Sequence, residues 1–186
     1  MTVTDLYPAF LLLSIIAIPF IGAFLSYILG RISLSLRDLT LVSATSLTLL
    51  VVGILIPLQI PTLTASVSFE HAFFFYTPVL SIHPLSYAVL LISIFVWMLA
   101  SLYATRYMKE EIRTNRFYFF WLLSLAADLG VLLSGDFLTL YLFFEFLTLS
   151  AFVLLAHRHA ATLAEWSLWD LIHTGFSVFS GNKHYR

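Results

Sequence analysis

The sequence predicts an all-α membrane protein with about five transmembrane helices, its N-terminus outside and its C-terminus inside. Hydrophobic residues make up 61% of its 186 residues and charged residues 10%, against roughly 45–50% and about 25% in soluble domains. Five apolar segments are long enough to cross a bilayer, and every basic residue falls on one side of the topology that they define. The formal net charge of −1 argues against a nucleic-acid partner.

The five apolar segments each hold enough residues to cross about 30 Å of hydrocarbon at about 1.5 Å per helical residue. In chain order they are residues 7–29, 39–58, 84–105, 117–134 and 137–156. Only Gly135 and Asp136 separate the last two, which therefore form a tight antiparallel pair. The predicted division is a five-helix region, residues 1–156, followed by a cytoplasmic or interfacial tail, residues 157–186.

Small residues recur at a spacing of four in the first segment, at Gly22, Ser26 and Gly30. Residues with this spacing share one helix face and let a neighbouring backbone come close. We expect this face to pack against another helix. That the small residues are merely scattered is an equally good interpretation.

The link between the second and third segments, residues 59–84, contains phenylalanine, β-branched residues and several prolines. It is too broken to span the membrane. Its alternating pattern predicts a short β-hairpin that lies on the membrane face.

The orientation follows from the basic residues, because Lys and Arg favour cytoplasmic loops. All nine lie on one side of the five predicted spans: Arg31, Arg37, Arg106, Lys109, Arg113, Arg116, Arg158, Lys183 and Arg186. The opposite side carries Asp5, Glu70 and Asp136 but no basic residue. The N-terminus is therefore predicted to lie outside.

Two carboxylates fall inside the predicted spans, Asp128 in the fourth and Glu145 in the fifth. Counted from the turn between these spans, both lie at a similar depth, roughly 10–14 Å from the outer end. A carboxylate at the centre of a membrane helix costs about 2.5–3.5 kcal/mol and commonly marks an ion or proton path. A carboxylate balanced between desolvation and a nearby cation can exchange a proton when that cation moves.

Each carboxylate has polar neighbours at helical spacing. Tyr141, Glu145 and Thr148 share one face of the fifth span, and Ser124 and Asp128 share a face of the fourth. The two stripes either face each other or line one hydrated gap. Alternatively, each carboxyl is protonated and only hydrogen-bonds a neighbouring helix. Glu145, Asp128, Tyr141 and Thr148 are the candidate residues of a proton or cation path.

Motifs of soluble enzymes do not occur in the sequence. Without cysteine there are no ligands for a zinc–thiolate site or an iron–sulfur cluster. No Gly-rich phosphate loop, nucleophile elbow or HExxH motif is present. We expect neither a metal nor a cofactor, and no chemical reaction carried out by this chain alone.

The stretch FYFFWLLSLAADLGVLLSGDFLTLYLFFEFLTLSAFVLLAH, residues 117–157, resembles the fourth and fifth helices of antiporter-like membrane subunits. That family comprises the large ion-translocating subunits of respiratory complex I (NADH dehydrogenase), of membrane-bound hydrogenases and of multisubunit Na+/H+ antiporters. Its pattern, from Gly-Asp through Tyr-x-Phe-Phe-Glu to a serine, is matched by Gly135, Asp136, Leu140, Tyr141, Phe143, Phe144, Glu145 and Ser150.

The resemblance extends from about Leu6 to Leu155, with His83 at a position where an aspartate is common. It implies that Glu145 corresponds to a glutamate thought to pair with a lysine on a later, broken helix. It also implies an N-terminus outside, in agreement with the basic residues. Residues after 156 do not resemble the family's next helix, and no lysine occurs in a predicted span, so the partner lysine is either supplied by another chain or lost.

The favoured interpretation is a subunit, or an N-terminal portion, of a proton- or cation-translocating complex in the cytoplasmic membrane, either linked to an oxidoreductase or an antiporter. Expected partners are other subunits of a respiratory, hydrogenase or antiporter complex, protons or sodium ions, and membrane lipid. Two alternatives stay open: an assembly subunit with no ion path of its own, and the product of a truncated gene.

Overall fold

The computed structural model describes residues 3–59, 65–68, 78–108 and 114–163 of a helical bundle with a small hairpin at one end. Its elements are α1 (Val3–Leu29), α2 (Leu34–Leu50), α3 (Ile56–Gln59), β1 (Ala65–Ser68), β2 (Val79–Ile82), α4 (Pro84–Tyr107), α5 (Thr114–Leu133) and α6 (Phe137–Leu163).

Within the described residues, five helical segments are long and apolar enough to cross a membrane. They are Ala9–Leu29, Leu34–Ile54, Pro84–Tyr107, Thr114–Leu133 and Phe137–Leu154. The predicted all-α membrane fold with five spans is therefore confirmed. Helix α6 runs past the predicted boundary at residue 156, and most of the predicted tail lies outside the described residues.

Helix α2 continues into α3 through one π-helical turn, Val51–Leu55. Pro57 accounts for this turn, because proline has no N–H to donate and its ring clashes with the carbonyl four residues earlier in an α-helix. That carbonyl belongs to Gly53. The wider π turn relieves the clash while the chain stays helical.

Helix α5 is the centre of the bundle. It packs against α1, α4 and α6 and also touches α2. Of its span, 56% is buried, against 11% for the span of α6. Leu122, Leu125 and Leu129 of α5 are fully buried. Because α6 packs chiefly on α5, most of its surface is left to lipid or to another chain.

The small residues of α1 lie where neighbouring helices approach closely. A Cβ on Gly22 would stand 2.8 Å from the Cβ of Ala44 in α2, and one on Gly30 would stand 2.6 Å from the side-chain oxygen of Asn115 in α5. Ser26, between the two glycines, is fully buried. There is no room for larger side chains at these glycines.

The predicted hairpin is confirmed: β1 and β2 are antiparallel, with Ala65 opposite Ile82. Strand β2 also binds the turn between α5 and α6. The Gly135 N–H donates to the Val79 carbonyl oxygen at 2.7 Å. A Cβ on Gly135 would lie 2.7 Å from Val79 Cγ1, so this approach needs glycine. Two of the predicted outer links therefore meet at one end of the bundle.

At the other end, Arg37 joins α2 to α5. Its side chain is almost fully buried and pairs with Asp38 at 2.9 Å. It donates to the Thr114 hydroxyl and, at 3.1 Å, to Asn115 Oδ1, and it lies 4.5 Å from the ring centre of Tyr118. The two predicted inner links thus also share one end. Which end faces the cytoplasm stays a prediction from the basic residues.

We predict opposite effects of adding one methyl group at two glycines. Gly22→Ala should lower the thermal unfolding midpoint in mild detergent, because the new Cβ overlaps Ala44. Gly53→Ala should leave it unchanged or raise it, because no atom lies within 4 Å and alanine limits the unfolded chain more than glycine does. Equal shifts would show that α1 does not pack through Gly22.

We also predict that Arg37→Ala destabilises the bundle by about 2–3 kcal/mol, because it leaves Asp38 unpaired near the interface of α2 and α5. The figure is below that for a fully buried pair because the Asp38 side chain is 24% exposed. The control is Arg31→Ala. Arg31 also bonds a side chain, Tyr27 at 2.9 Å, but at an exposed site. Equal unfolding shifts for the two variants would contradict the prediction.

Candidate functional site

Glu145 lies on the side of α6 that is turned away from α5. The α5-facing side carries Thr139 and Ser150, which are buried, and Phe143, whose ring lies where a Cβ on Gly130 would be. At about 100° per residue, Glu145 falls on the opposite side of the helix. Its side chain is exposed in the chain by itself.

Tyr141 and Thr148 share this exposed side with Glu145. The Tyr141 hydroxyl lies one helical turn from Glu145 and interacts with its carboxyl. The Thr148 hydroxyl donates to the backbone carbonyl of Glu145 at 2.8 Å, so its proton is used within the helix. Large apolar side chains of α6 are uncovered as well, such as Leu149, which is 62% exposed. The candidate path residues of α6 thus form a narrow polar strip on an apolar surface.

Asp128 has different surroundings. Its Oδ2 atom accepts a hydrogen bond from the Ser93 hydroxyl at 2.6 Å and another from Trp97 Nε1 at 3.0 Å. Both donors belong to α4. The ring of Trp97 also packs edge-on against Trp121 of α5, with 5.1 Å between ring centres. Asp128 is therefore held in the interface between α4 and α5.

The two carboxylates are not joined to each other by any hydrogen bond or ion pair of the described residues. The hydrogen bonds of Asp128 come from α4, whereas Glu145 interacts with Tyr141 of its own helix. The stripe of Ser124 and Asp128 and the stripe of Tyr141, Glu145 and Thr148 therefore face different sides of the α5–α6 pair.

Ser93 and Trp97 are site residues that the sequence analysis did not identify. They lie four residues apart and therefore share one helix face. Counted from the hairpin ends of α4 and α5 at about 1.5 Å per residue, Ser93 lies about 14 Å in, Trp97 about 20 Å and Asp128 about 8 Å. Counting depth along each span would therefore not have paired them with Asp128. A tryptophan within a span is otherwise read as a packing or belt residue.

The start of α6 is fixed by a polar cluster at the hairpin. The Asp136 carboxylate accepts from the backbone N–H and, at 2.9 Å, from the hydroxyl of Thr139, in the manner of an N-cap. The Thr139 oxygen in turn accepts from the Val79 N–H of β2 at 3.2 Å. Because an α-helix is rigid over two turns, this cluster also sets the direction in which Glu145 points.

No protein-family model matches the chain, and no curated protein matches it. A solved structure does: it is similar to a chain in the membrane-bound sulfane sulfur reductase (MBS), an archaeal respiratory membrane complex, with a TM-score of 0.62 and 25% sequence identity. The similarity covers 75% of this chain and 22% of that chain, so this chain spans about a fifth of that one. A likeness to a membrane-complex subunit is thereby established.

We predict that Thr139→Val destabilises the protein by about 1–2 kcal/mol, because it removes the acceptor of the Val79 N–H and the donor to Asp136. Thr139→Ser keeps the hydroxyl and should restore most of the thermal unfolding midpoint. Valine and serine variants of equal stability would show that the hydroxyl does not join α6 to the hairpin.

Proposed function

We propose that this chain is a subunit, or an N-terminal portion, of a proton- or cation-translocating membrane complex and that Glu145 is a carboxylate of the ion path. The observation that carries the proposal is the uncovered position of Glu145, midway along a membrane-spanning helix. The similarity to a chain of an archaeal respiratory membrane complex supports the same type of assembly.

The free energy of this position favours a partner at Glu145. A carboxylate at the centre of a membrane helix costs about 2.5–3.5 kcal/mol. The neighbouring Tyr141 hydroxyl is a single uncharged group and does not neutralise the carboxylate. Among the described residues, the salt bridge formed is Arg37–Asp38, and no cation pairs with Glu145. The remaining stabilisation comes from a cation of another chain, or from protonation of the carboxyl.

Alternation between these two sources of stabilisation couples the movement of the cation to the uptake of a proton by Glu145. With a cation beside it, Glu145 is stabilised as the carboxylate, and when the cation withdraws, the carboxyl takes up a proton. Tyr141 holds the carboxyl in place through its hydroxyl and is able to pass a proton to it or from it. Thr148 contributes its oxygen as an acceptor, since its own proton is bonded to the backbone.

The proposal also covers the partners, the ion and the membrane of the complex. The uncovered side of α6 faces another subunit of a respiratory, hydrogenase or antiporter complex, and the mobile ion is a proton or sodium. The complex resides in the cytoplasmic membrane with the N-terminus of this chain outside, as its basic residues predict.

We predict that Glu145→Gln lowers ion translocation at least tenfold in the complex purified from native membranes and reconstituted in vesicles. Glutamine keeps the size and an acceptor oxygen but loses the charge and the exchangeable proton. Glu145→Asp should retain part of the activity, and Thr148→Ser should retain nearly all of it. Mass spectrometry of the purified complex checks that each variant assembles with the same partners. Full translocation by Glu145→Gln would overturn the proposal.

A structural subunit is the second candidate, and the uncovered face of α6 supports it as well. In that case Glu145 pairs with a neighbouring subunit and moves no ion. Glu145→Gln would then reduce the amount of co-purified partner, while each assembled complex would translocate at the wild-type rate. Measuring flux per assembled complex separates the two functions.

A further inference from the structure

Asp128 is a carboxyl that is fixed at one oxygen and open at the other. Both donors from α4, the Ser93 hydroxyl and Trp97 Nε1, bind Oδ2. No side chain in the described part of the chain bonds Oδ1, and the residue is partly exposed within the membrane-spanning part of α5.

The open oxygen lies beside an arc of α5 that faces neither α4 nor α6. Trp121 lies on the α4 side of α5, where its Nε1 donates to the Ser101 hydroxyl, and Gly130 lies on the α6 side. At about 100° per residue, Asp128 is at the edge of the α4 side, and Ser124 is one turn further inward on the arc between the two helices. In the described part of the chain, α4 and α6 both pack on α5 but scarcely touch each other, and the space between them forms a crevice that Asp128 and Ser124 line.

Ser124 adds an independent observation. Its side chain is 2% exposed and its hydroxyl has no hydrogen-bond partner. A buried hydroxyl without a partner is unfavourable in a membrane protein unless water or an ion reaches it. The unused oxygen of Asp128 and the unpartnered hydroxyl of Ser124 thus lie one turn apart on the same arc of α5.

We propose that Asp128 is a second ion-binding carboxyl, separate from Glu145, that holds a proton on Oδ1 and exchanges it through the crevice between α4 and α6, with Ser124 as the next oxygen inward. Ser93 and Trp97 position the carboxyl through Oδ2. Both are uncharged, and no charged side chain of the described ranges bonds Asp128. The protonation of Asp128 is therefore not controlled by the approach and withdrawal of a paired cation, unlike the protonation proposed for Glu145.

Carbodiimide labelling tests the proton on Asp128 without relying on ion transport. Dicyclohexylcarbodiimide enters the hydrocarbon layer and modifies carboxyl groups that carry a proton. Native membranes that contain the full chain with its partners would be treated, and the modified residue identified by peptide mass spectrometry. We expect a label on Asp128 that is lost in Asp128→Asn. The asparagine oxygen still accepts from Ser93 and Trp97, which keeps the helix interface intact.

Three outcomes decide this experiment. A label on Asp128 that is insensitive to sodium chloride supports a proton site. A label that sodium chloride suppresses, while potassium chloride at the same ionic strength does not, makes sodium the resident ion and overturns the proton assignment. A label on Glu145 with none on Asp128 overturns the second site and leaves the proposal for Glu145 standing.

A second measurement tests whether water reaches Ser124. Because the natural sequence contains no cysteine, any reaction can be assigned to the introduced thiol. Ser124→Cys should react with a small charged thiol reagent in membranes, because the proposed exchange path brings water to a hydroxyl that the described chain by itself buries. Ser26→Cys is the matched control, since Ser26 is also a buried serine without a hydrogen-bond partner but lies in α1. It should remain unreactive. An unreactive thiol at position 124 would overturn the exchange of protons through the crevice.

Discussion

Hydrocarbon offers no hydrogen bonds, and this constraint determines where each polar side chain of the bundle lies. Thr45 and Thr48 of α2 donate to carbonyl oxygens of their own helix, so they need no neighbour. Arg37 finds its partners on α5, and Asp128 finds its partners on α4. Glu145 is different, because its one described side-chain partner leaves it uncovered. It marks the surface at which the described chain depends on something outside itself.

The central position of α5 connects the two ends of the bundle to the candidate sites. One end of α5 is bound to α2 through Arg37, and the other end enters the turn that β2 holds at Gly135. Between these ends, the α4 side carries Asp128 and another side carries α6. A change in the position of α6 must therefore act against the cap at Thr139, whereas a change in α4 acts on Asp128 directly.

Hydropathy and helical spacing were sufficient to predict the five spans, the hairpin and the pairing of links at each end. They also placed Tyr141, Glu145 and Thr148 on one face, but not the direction of that face, because periodicity within one helix does not specify its neighbours. For the same reason Ser93 and Trp97 could not be assigned to Asp128. Arg37 was counted as a loop charge that sets orientation, because the sequence does not show that residues near position 114 would bury it.

The buried guanidinium of Arg37 has a consequence for synthesis. Its partner Thr114 lies 77 residues further along the chain. At roughly 5–20 residues per second, the ribosome needs about 4–15 s to make that segment. During this interval the charge stays among lipid headgroups or water, since the groups that bury it have not yet been made. Helix α5 therefore packs against Arg37 late in synthesis. It can do so only if the two spans made in between, those of α2 and α4, have been inserted with their ends on the correct sides.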